Sequence, residues 1–225
     1  MKKMNNAKRI LRVKADKDLM KEMYSKLSKV MGFIERFEKS LRERSIYLLN
    51  LKQGERILEI GFGRGTALLQ LAREVGSQGY VYGIDLTPEM VRITGTKVLN
   101  SDLDNISIEQ GDARDLPYKC NYFDAVYIAS TLELFDNPDI PIVLSEIKRV
   151  LKTDGRLCVV SIPKENRERT LSVRLNEFYN KTFEKYASCR PIYLEHFLKI
   201  ADFRILHSEE LGFLFTMKIV LAKPQ

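Results

Sequence analysis

Residues 56–69 read Arg56-Ile57-Leu58-Glu59-Ile60-Gly61-Phe62-Gly63-Arg64-Gly65-Thr66-Ala67-Leu68-Leu69. Ile57, Leu58 and Ile60 make a short apolar run that stops at the first glycine, and Leu68, Leu69, Leu71 and Ala72 then recur at helical spacing. The stretch therefore predicts a buried strand, a glycine turn and the start of a helix. Glycines at 61, 63 and 65 let the backbone turn sharply and let a ligand approach main-chain N–H groups that a Cβ would shield.

Two details oppose a nucleotide with a pyrophosphate. The dinucleotide fingerprint wants a third glycine three positions after the second, where this chain has Thr66; the spacing here is Gly-x-Gly-x-Gly. Glu59 also stands at the strand end, where it would repel a phosphate and suit a ligand carrying an ammonium or sulfonium. A phosphate loop is excluded because no Gly-Lys-Ser/Thr follows the turn.

The next apolar run, Tyr80-Val81-Tyr82-Gly83-Ile84-Asp85, ends in a carboxylate 20 residues beyond Gly65. A carboxylate at that distance can accept both hydroxyls of a ribose. Taken together, Glu59 to Gly65 and Gly83 to Asp85 resemble the first two motifs of the class I S-adenosylmethionine-dependent methyltransferases. The resemblance implies a Rossmann-like α/β fold: a seven-stranded, mostly parallel sheet with helices on both faces, the last strand antiparallel, and helices preceding the core. It implies S-adenosyl-L-methionine as cofactor, held by Glu59, Gly61, Gly63, Gly65, Asp85 and the adjoining Leu86.

Later segments extend the match. Ile106 to Glu109 alternates as a third strand and runs into Gln110-Gly111-Asp112-Ala113-Arg114-Asp115-Leu116-Pro117. In the family this loop reads the adenine, with the carboxylate at the Asp112 position accepting from the exocyclic amine and the backbone of Ala113 meeting a ring nitrogen. Phe123 to Ser130 is the fourth strand; its carboxyl end, with Ala129, faces the glycine loop, since open parallel sheets bind ligands there at the switch point. Thr131 to Pro138 is similar to the segment that follows this strand in the menaquinone and ubiquinone methyltransferase-like branch. Leu151-Lys152-Thr153-Asp154-Gly155 supplies the family's turn before the fifth strand, Gly155 to Ile162. Helices are expected over Pro141 to Leu151 and Pro191 to Ala201, and closing strands over Phe203 to Leu206 and Phe213 to Leu221.

The chain has 225 residues, enough for one α/β domain with decorations. It contains no run of 18 apolar residues, and its first residues carry no apolar stretch after their charges, so a soluble, cytoplasmic protein is expected. Three widely spaced cysteines and two histidines support neither a disulfide framework nor a metal site. The net charge of +7 is concentrated at one end: residues 1–50 hold 14 Lys and Arg against six Asp and Glu, or +8, leaving −1 for the rest. Such an excess suits either a solvated helical face or attraction to a membrane surface, nucleic acid or acidic substrate.

Residues 1–50 read as an N-terminal helical extension, with Met20, Met23, Tyr24, Leu27, Val30, Met31, Ile34 and Phe37 at three-and-four spacing. By resemblance this segment is a lid over the cofactor, with Tyr24 reaching inward; by spacing alone Tyr24 is a core aromatic. Residues 51–225 are the methyltransferase domain, and about 163–191 form an inserted helical cap in which Leu171, Leu175, Phe178, Tyr179, Phe183 and Tyr186 share one face. That face either packs on the sheet edge or roofs an apolar acceptor pocket.

Methyl transfer from a sulfonium is an in-line displacement with an already activated donor, so positioning can suffice and a general base is optional. No catalytic residue is assigned. Glu133, just beyond the fourth strand, is a candidate base, although a surface helix position is the favoured reading of it. The strand end lacks the Asn/Asp-Pro-Pro-aromatic cluster and the Pro-Cys of nucleic-acid base methylation. The leading expectation is methyl transfer to a small-molecule acceptor, lipophilic and quinone-like or a lipid. Alternatives are an RNA or protein methyltransferase using the basic N-terminal region, and a cofactor-binding protein without turnover.

Overall fold

A computed structural model describes residues 39–168, 170, 173–174, 189–212 and 216–225. The predicted helices within residues 1–38, with Tyr24, and most of the 163–191 insertion lie outside the described residues. The elements run α1 (Lys39–Leu49), β1 (Arg56–Ile60), α2 (Thr66–Val75), β2 (Tyr80–Asp85), α3 (Pro88–Leu99), β3 (Ile106–Gln110), β4 (Phe123–Ala129), α4 (Asp139–Val150), β5 (Leu151–Ser161), α5 (Leu194–Ile200), β6 (Phe203–Leu211) and β7 (Met217–Pro224), with a short 3₁₀ turn at Leu132–Leu134.

The strands form one seven-stranded sheet in the order β3-β2-β1-β4-β5-β7-β6. The strands β1 to β5 are mutually parallel, and β7 runs antiparallel to both β5 and β6. The expected sheet, with its reversed last strand, is the one observed.

Central parallel strands are covered on both faces, so their sequences alternate between two apolar layers. Ile57, Val81, Ala125, Tyr127, Cys158, Val160 and Ile219 pack with Ile46 and Leu49 of α1, with the Leu68, Leu71, Ala72 and Val75 face of α2, and with Met90 of α3. Leu58, Ile60, Ile84, Val126, Ile128, Leu157 and Val159 pack with Ile140, Val143, Leu144 and Ile147 of α4 and with Leu194, Phe197 and Leu198 of α5. Asn105 fastens the entry to β2: its buried amide donates to the carbonyls of Ala72, Gly76 and Gly79.

Several boundaries differ from the sequence expectation. The helix expected over Pro141 to Leu151 starts at Asp139, and Leu151 already belongs to β5, where it pairs with Phe123. The Lys152 to Gly155 turn then becomes an irregularity inside that strand, its register with β4 shifting between Phe123 and Ala125. Pro191 does not open a helix. Ile192 bridges Pro163 in extended conformation, donating to the Ile162 carbonyl and accepting from the Lys164 N–H, and α5 begins only at Leu194. The sixth strand runs five residues past Leu206, to Leu211; β7 spans Met217–Pro224, and Phe213 to Phe215 of the expected last strand lie outside the described residues.

Candidate cofactor and acceptor site

Three loops leave the carboxyl ends of β1, β2 and β3, and Asp85 fastens them together. One carboxylate oxygen accepts the Gly63 N–H at 2.9 Å and the other accepts the Thr87 N–H at 2.8 Å. The Asp85 carbonyl accepts the Gly111 N–H, and the Gly61 N–H bonds the Ile84 carbonyl. Asp85 is 8% exposed. Burial lifts its pKa above the ordinary value, while the N–H groups of Thr87 and Gly63 pull it down. A carboxylate offers about four acceptor positions, so capacity remains for a hydroxyl of a ligand.

The glycines are required where the bend packs. Gly61 has φ +70°, and a Cβ there would run into the Thr131 side chain. Gly65 has φ +72°, caps α2, and would collide with Thr94 of α3. Thr94 also donates its hydroxyl to the Gly63 carbonyl at 2.8 Å, and Lys97 donates to the Arg64 carbonyl at 2.7 Å, so α3 holds the bend from outside.

Strand register decides which side chains share a face. Glu59 lies level with Gly83 on one side and Tyr127 on the other. Since side chains alternate with period two, Glu59, Asp85 and Ala129 all point to the face covered by α1, α2 and α3. Glu59 is 4% exposed. A buried carboxyl group beneath the glycine bend forms a cradle with an acidic floor, while the Gly61, Gly63 and Gly65 N–H groups are taken by Ile84, Asp85 and Phe62. Such a cradle fits a ligand bearing a ribose and a cationic centre, and its floor repels a pyrophosphate.

The remaining sequence candidates lie on the same edge. Leu86 is half-buried and its carbonyl accepts from the Gln110 side chain. Asp112 is half-buried and gripped by Arg114, which donates from its backbone N–H, Nε and Nη2 at 3.1, 3.0 and 2.7 Å and reaches Asp139 through Nη1. Ala113 is buried, and the Ala129 carbonyl accepts the Thr131 hydroxyl.

Comparison with known proteins agrees with this geometry. A family profile described as a methyltransferase domain matches residues 57–155, from β1 into the turn of β5. The chain is 29% identical over 143 residues to a demethylmenaquinone methyltransferase of Listeria monocytogenes, a match covering 64% of this chain and 59% of the relative. It is 34% identical over 121 residues to the nocamycin O-methyltransferase of Saccharothrix syringae, covering 54% and 42%. The crystal structure of a SAM-dependent methyltransferase from Aquifex aeolicus superposes with a TM-score of 0.62 at 25% identity, covering 80% of this chain and 88% of that one. Residues 57–155 are thus similar to a methyltransferase domain, and the sheet as a whole to that of a SAM-dependent methyltransferase. The chain spans about three fifths of the length of the first curated relatives it matches.

The strand-end edge continues past Ala129 into a second group of polar residues. Glu133 occupies the middle of the 3₁₀ turn after β4 and is 0% exposed, which overturns its reading as a surface helix residue. Burial lifts its carboxyl to about 7, with its own backbone N–H, the nearby Ser161 hydroxyl, the Ile162 backbone and the charge of Arg190 acting the other way, the Ser161 hydroxyl from outside hydrogen-bond geometry. Ser161 closes β5 and is buried. Arg190, 1% exposed, donates from Nη2 to the Phe135 carbonyl at 2.5 Å. Burial lowers its pKa to about 10, against the charges of Asp136 and Glu133.

Ser161, Arg190, Thr94, Thr131 and Arg114 were not singled out from the sequence. Ser161 carried a usable signal: like Asp85, it is the first polar residue after an apolar run, Cys158-Val159-Val160. Arg190 carried none, because nothing local distinguishes it from the many other basic residues. Among the described residues no group of three or more His, Cys, Asp or Glu is placed to hold a metal ion. No described helix is long and apolar enough to cross a membrane.

Proposed function

We propose that Glu59, Gly61, Gly63, Gly65, Asp85, Leu86, Asp112, Ala113 and Ala129 hold S-adenosyl-L-methionine, and that the protein transfers its methyl group to a small-molecule acceptor. The observation that carries the reading is the Asp85 carboxylate, buried at the end of β2 and bonded to Gly63 and Thr87 with acceptor capacity left for a ribose. In this assignment Glu59 faces the cationic end of the ligand, and Asp112, steadied by Arg114, meets the adenine amine.

The bound cofactor supplies an electrophilic methyl group whose departure leaves a neutral thioether. The protein's own part is positioning: holding an acceptor in line at roughly 3 Å can supply up to about 7–11 kcal/mol. Acceptor selection falls to residues 163–191, which we assign as a cap, and to residues 1–50, which we assign as a lid with Tyr24 reaching inward. The acceptor is a hydroxylated, lipophilic or quinone-like small molecule. Two relatives whose names specify a menaquinone precursor and an O-methylated product support that class.

The test is production of S-adenosylhomocysteine when the purified protein is incubated with S-adenosylmethionine and a panel of hydroxylated aromatics, lipids and short RNAs. Turnover with aromatics or lipids supports the reading. Turnover confined to RNA overturns the acceptor class, and no turnover with any cell extract overturns enzymatic activity.

A further inference from the structure

The polar group at the ends of β4 and β5 is left incomplete by the fold. Both carboxylate oxygens of Glu133, the Ser161 hydroxyl oxygen, and Nε and Nη1 of Arg190 are buried without a hydrogen-bond partner. Glu133 and Arg190 lie close enough for each charge to act on the other, yet they form no ion pair among those found between described residues. Each buried orphan costs about 1–3 kcal/mol, and a buried unpaired charge costs more. The surrounding segments are well fixed: Arg190 is tied to Phe135, and the Ile162–Ile192 and Ile192–Lys164 hydrogen bonds clamp the two ends of the insertion together beside it.

Resting on the methyltransferase reading above, we infer that Glu133, Ser161 and Arg190 form the acceptor-binding site and that its ligand is an ionisable hydroxyl: a phenol, enol or hydroquinone. A single oxygen of that kind satisfies the group from both sides, because it accepts from the Arg190 N–H groups and donates its proton to Glu133. A carboxylate ligand would complete Arg190 but leave Glu133 facing a second negative charge. An amine would do the reverse.

The chemistry balances without a further reactant. The hydroxyl proton passes to the Glu133 carboxylate, and the oxyanion stays on Arg190. Its electron pair on oxygen forms the bond to the methyl carbon while the pair of the breaking S–C bond goes to sulfur. Glu133 suits the task because its buried carboxyl titrates near neutrality, where it can both take a proton and release it to solvent.

The experiment titrates 4-nitrophenol, whose phenol and phenolate forms have distinct visible spectra, into protein saturated with S-adenosylhomocysteine at pH 6 and at pH 8. Wild-type protein is expected to bind it and enrich the phenolate band. Arg190→Met should weaken binding about tenfold or more, the value of one lost charge-assisted hydrogen bond. Glu133→Gln, which cannot ionise, should hold the phenolate more tightly than the wild type at pH 8, where the wild-type carboxylate opposes the anion, and Ser161→Ala, the mildest change, should weaken binding with the spectrum kept. All three should keep wild-type affinity for S-adenosylhomocysteine by calorimetry. Should Arg190→Met not fold, Glu133→Gln and Ser161→Ala decide by the same two readouts. Failure of the wild type to bind 4-nitrophenol, or variants matching it in affinity and spectrum because ordered water alone fills the site, overturns the inference. Failure of the wild type to bind S-adenosylhomocysteine is a separate result, and it overturns the methyltransferase reading itself.

Discussion

The Gly63 N–H donates to the Asp85 carboxylate at 2.9 Å, across two neighbouring strands and 22 positions of sequence. The same carboxylate accepts from Thr87, so one side chain sets both the glycine bend and the entry to α3. Asp85→Asn replaces one of its two acceptors by an NH₂ that faces an N–H donor. The loss of a buried, charge-assisted bond should lower stability by about 1–3 kcal/mol, measured by urea unfolding of the ligand-free protein. Unchanged stability would mean that the bend holds its shape without Asp85.

The bend is also held by contact with α3. Gly65→Ala forces a side chain onto a left-handed residue and against Thr94, at a cost of about 1–3 kcal/mol. Thr94→Ser removes the nearest methyl while keeping the hydroxyl that bonds the Gly63 carbonyl. The double variant should therefore recover part of the stability lost, as read from paired thermal melts. A double variant no more stable than Gly65→Ala would place the whole cost in the backbone.

Much of this was legible before any coordinates, because parallel strands advertise themselves as apolar runs and their ends carry the ligand-facing residues. Asp85 could be found by counting from Gly65. Glu133 could not be placed, since whether it points inward depends on the 3₁₀ turn at Leu132–Leu134, and neighbours at i±3 spacing looked like an exposed helix. Pro191 misled in a different way. Proline at a helix start is a sound local rule, but the tertiary pairing of Ile192 with Ile162 and Lys164 holds the segment extended. The polar alternation His207-Ser208-Glu209-Glu210 concealed the second half of β6, which lies at the edge of the sheet with every other residue in water.

Helix α1 is locked to the sheet by a hydroxyl chain whose direction can be deduced. Ser45 has one O–H, and it donates to the Arg42 carbonyl at 2.9 Å, so Tyr127 donates its own O–H to the Ser45 oxygen at 2.9 Å. Ser45→Ala strands a buried phenol donor and should cost about 1–3 kcal/mol, whereas Tyr127→Phe removes only an accepted bond and should cost about 1 kcal/mol or less. Chemical denaturation of the two variants checks the order. Equal costs would contradict the assigned direction.

Glu133 predicts a pH signature. Its folded pKa, about 7, stands above the unfolded value, so the folded state keeps a proton that the unfolded state has released between roughly pH 4.5 and 7. Stability from this group is therefore greatest at low pH and is lost as pH rises through 7. Arg190, lowered only to about 10, keeps its charge across that window. Glu133→Gln should match the wild type near pH 5 and exceed it in melting temperature above pH 7. A difference independent of pH would show that Glu133 is not titrating in the folded protein.

The central claim is that one cradle at the ends of β1, β2 and β3 takes an adenosyl sulfonium, and isothermal titration of S-adenosylmethionine tests it most directly. Wild-type protein should bind one equivalent. Asp85→Ala, which loses its hydrogen bonds to a ribose, and Gly63→Val, which puts a branched side chain into the bend, should each bind at least about a hundredfold more weakly while remaining folded by circular dichroism. Wild-type affinity in either variant, or displacement of the ligand by a pyrophosphate-bearing dinucleotide, would contradict it.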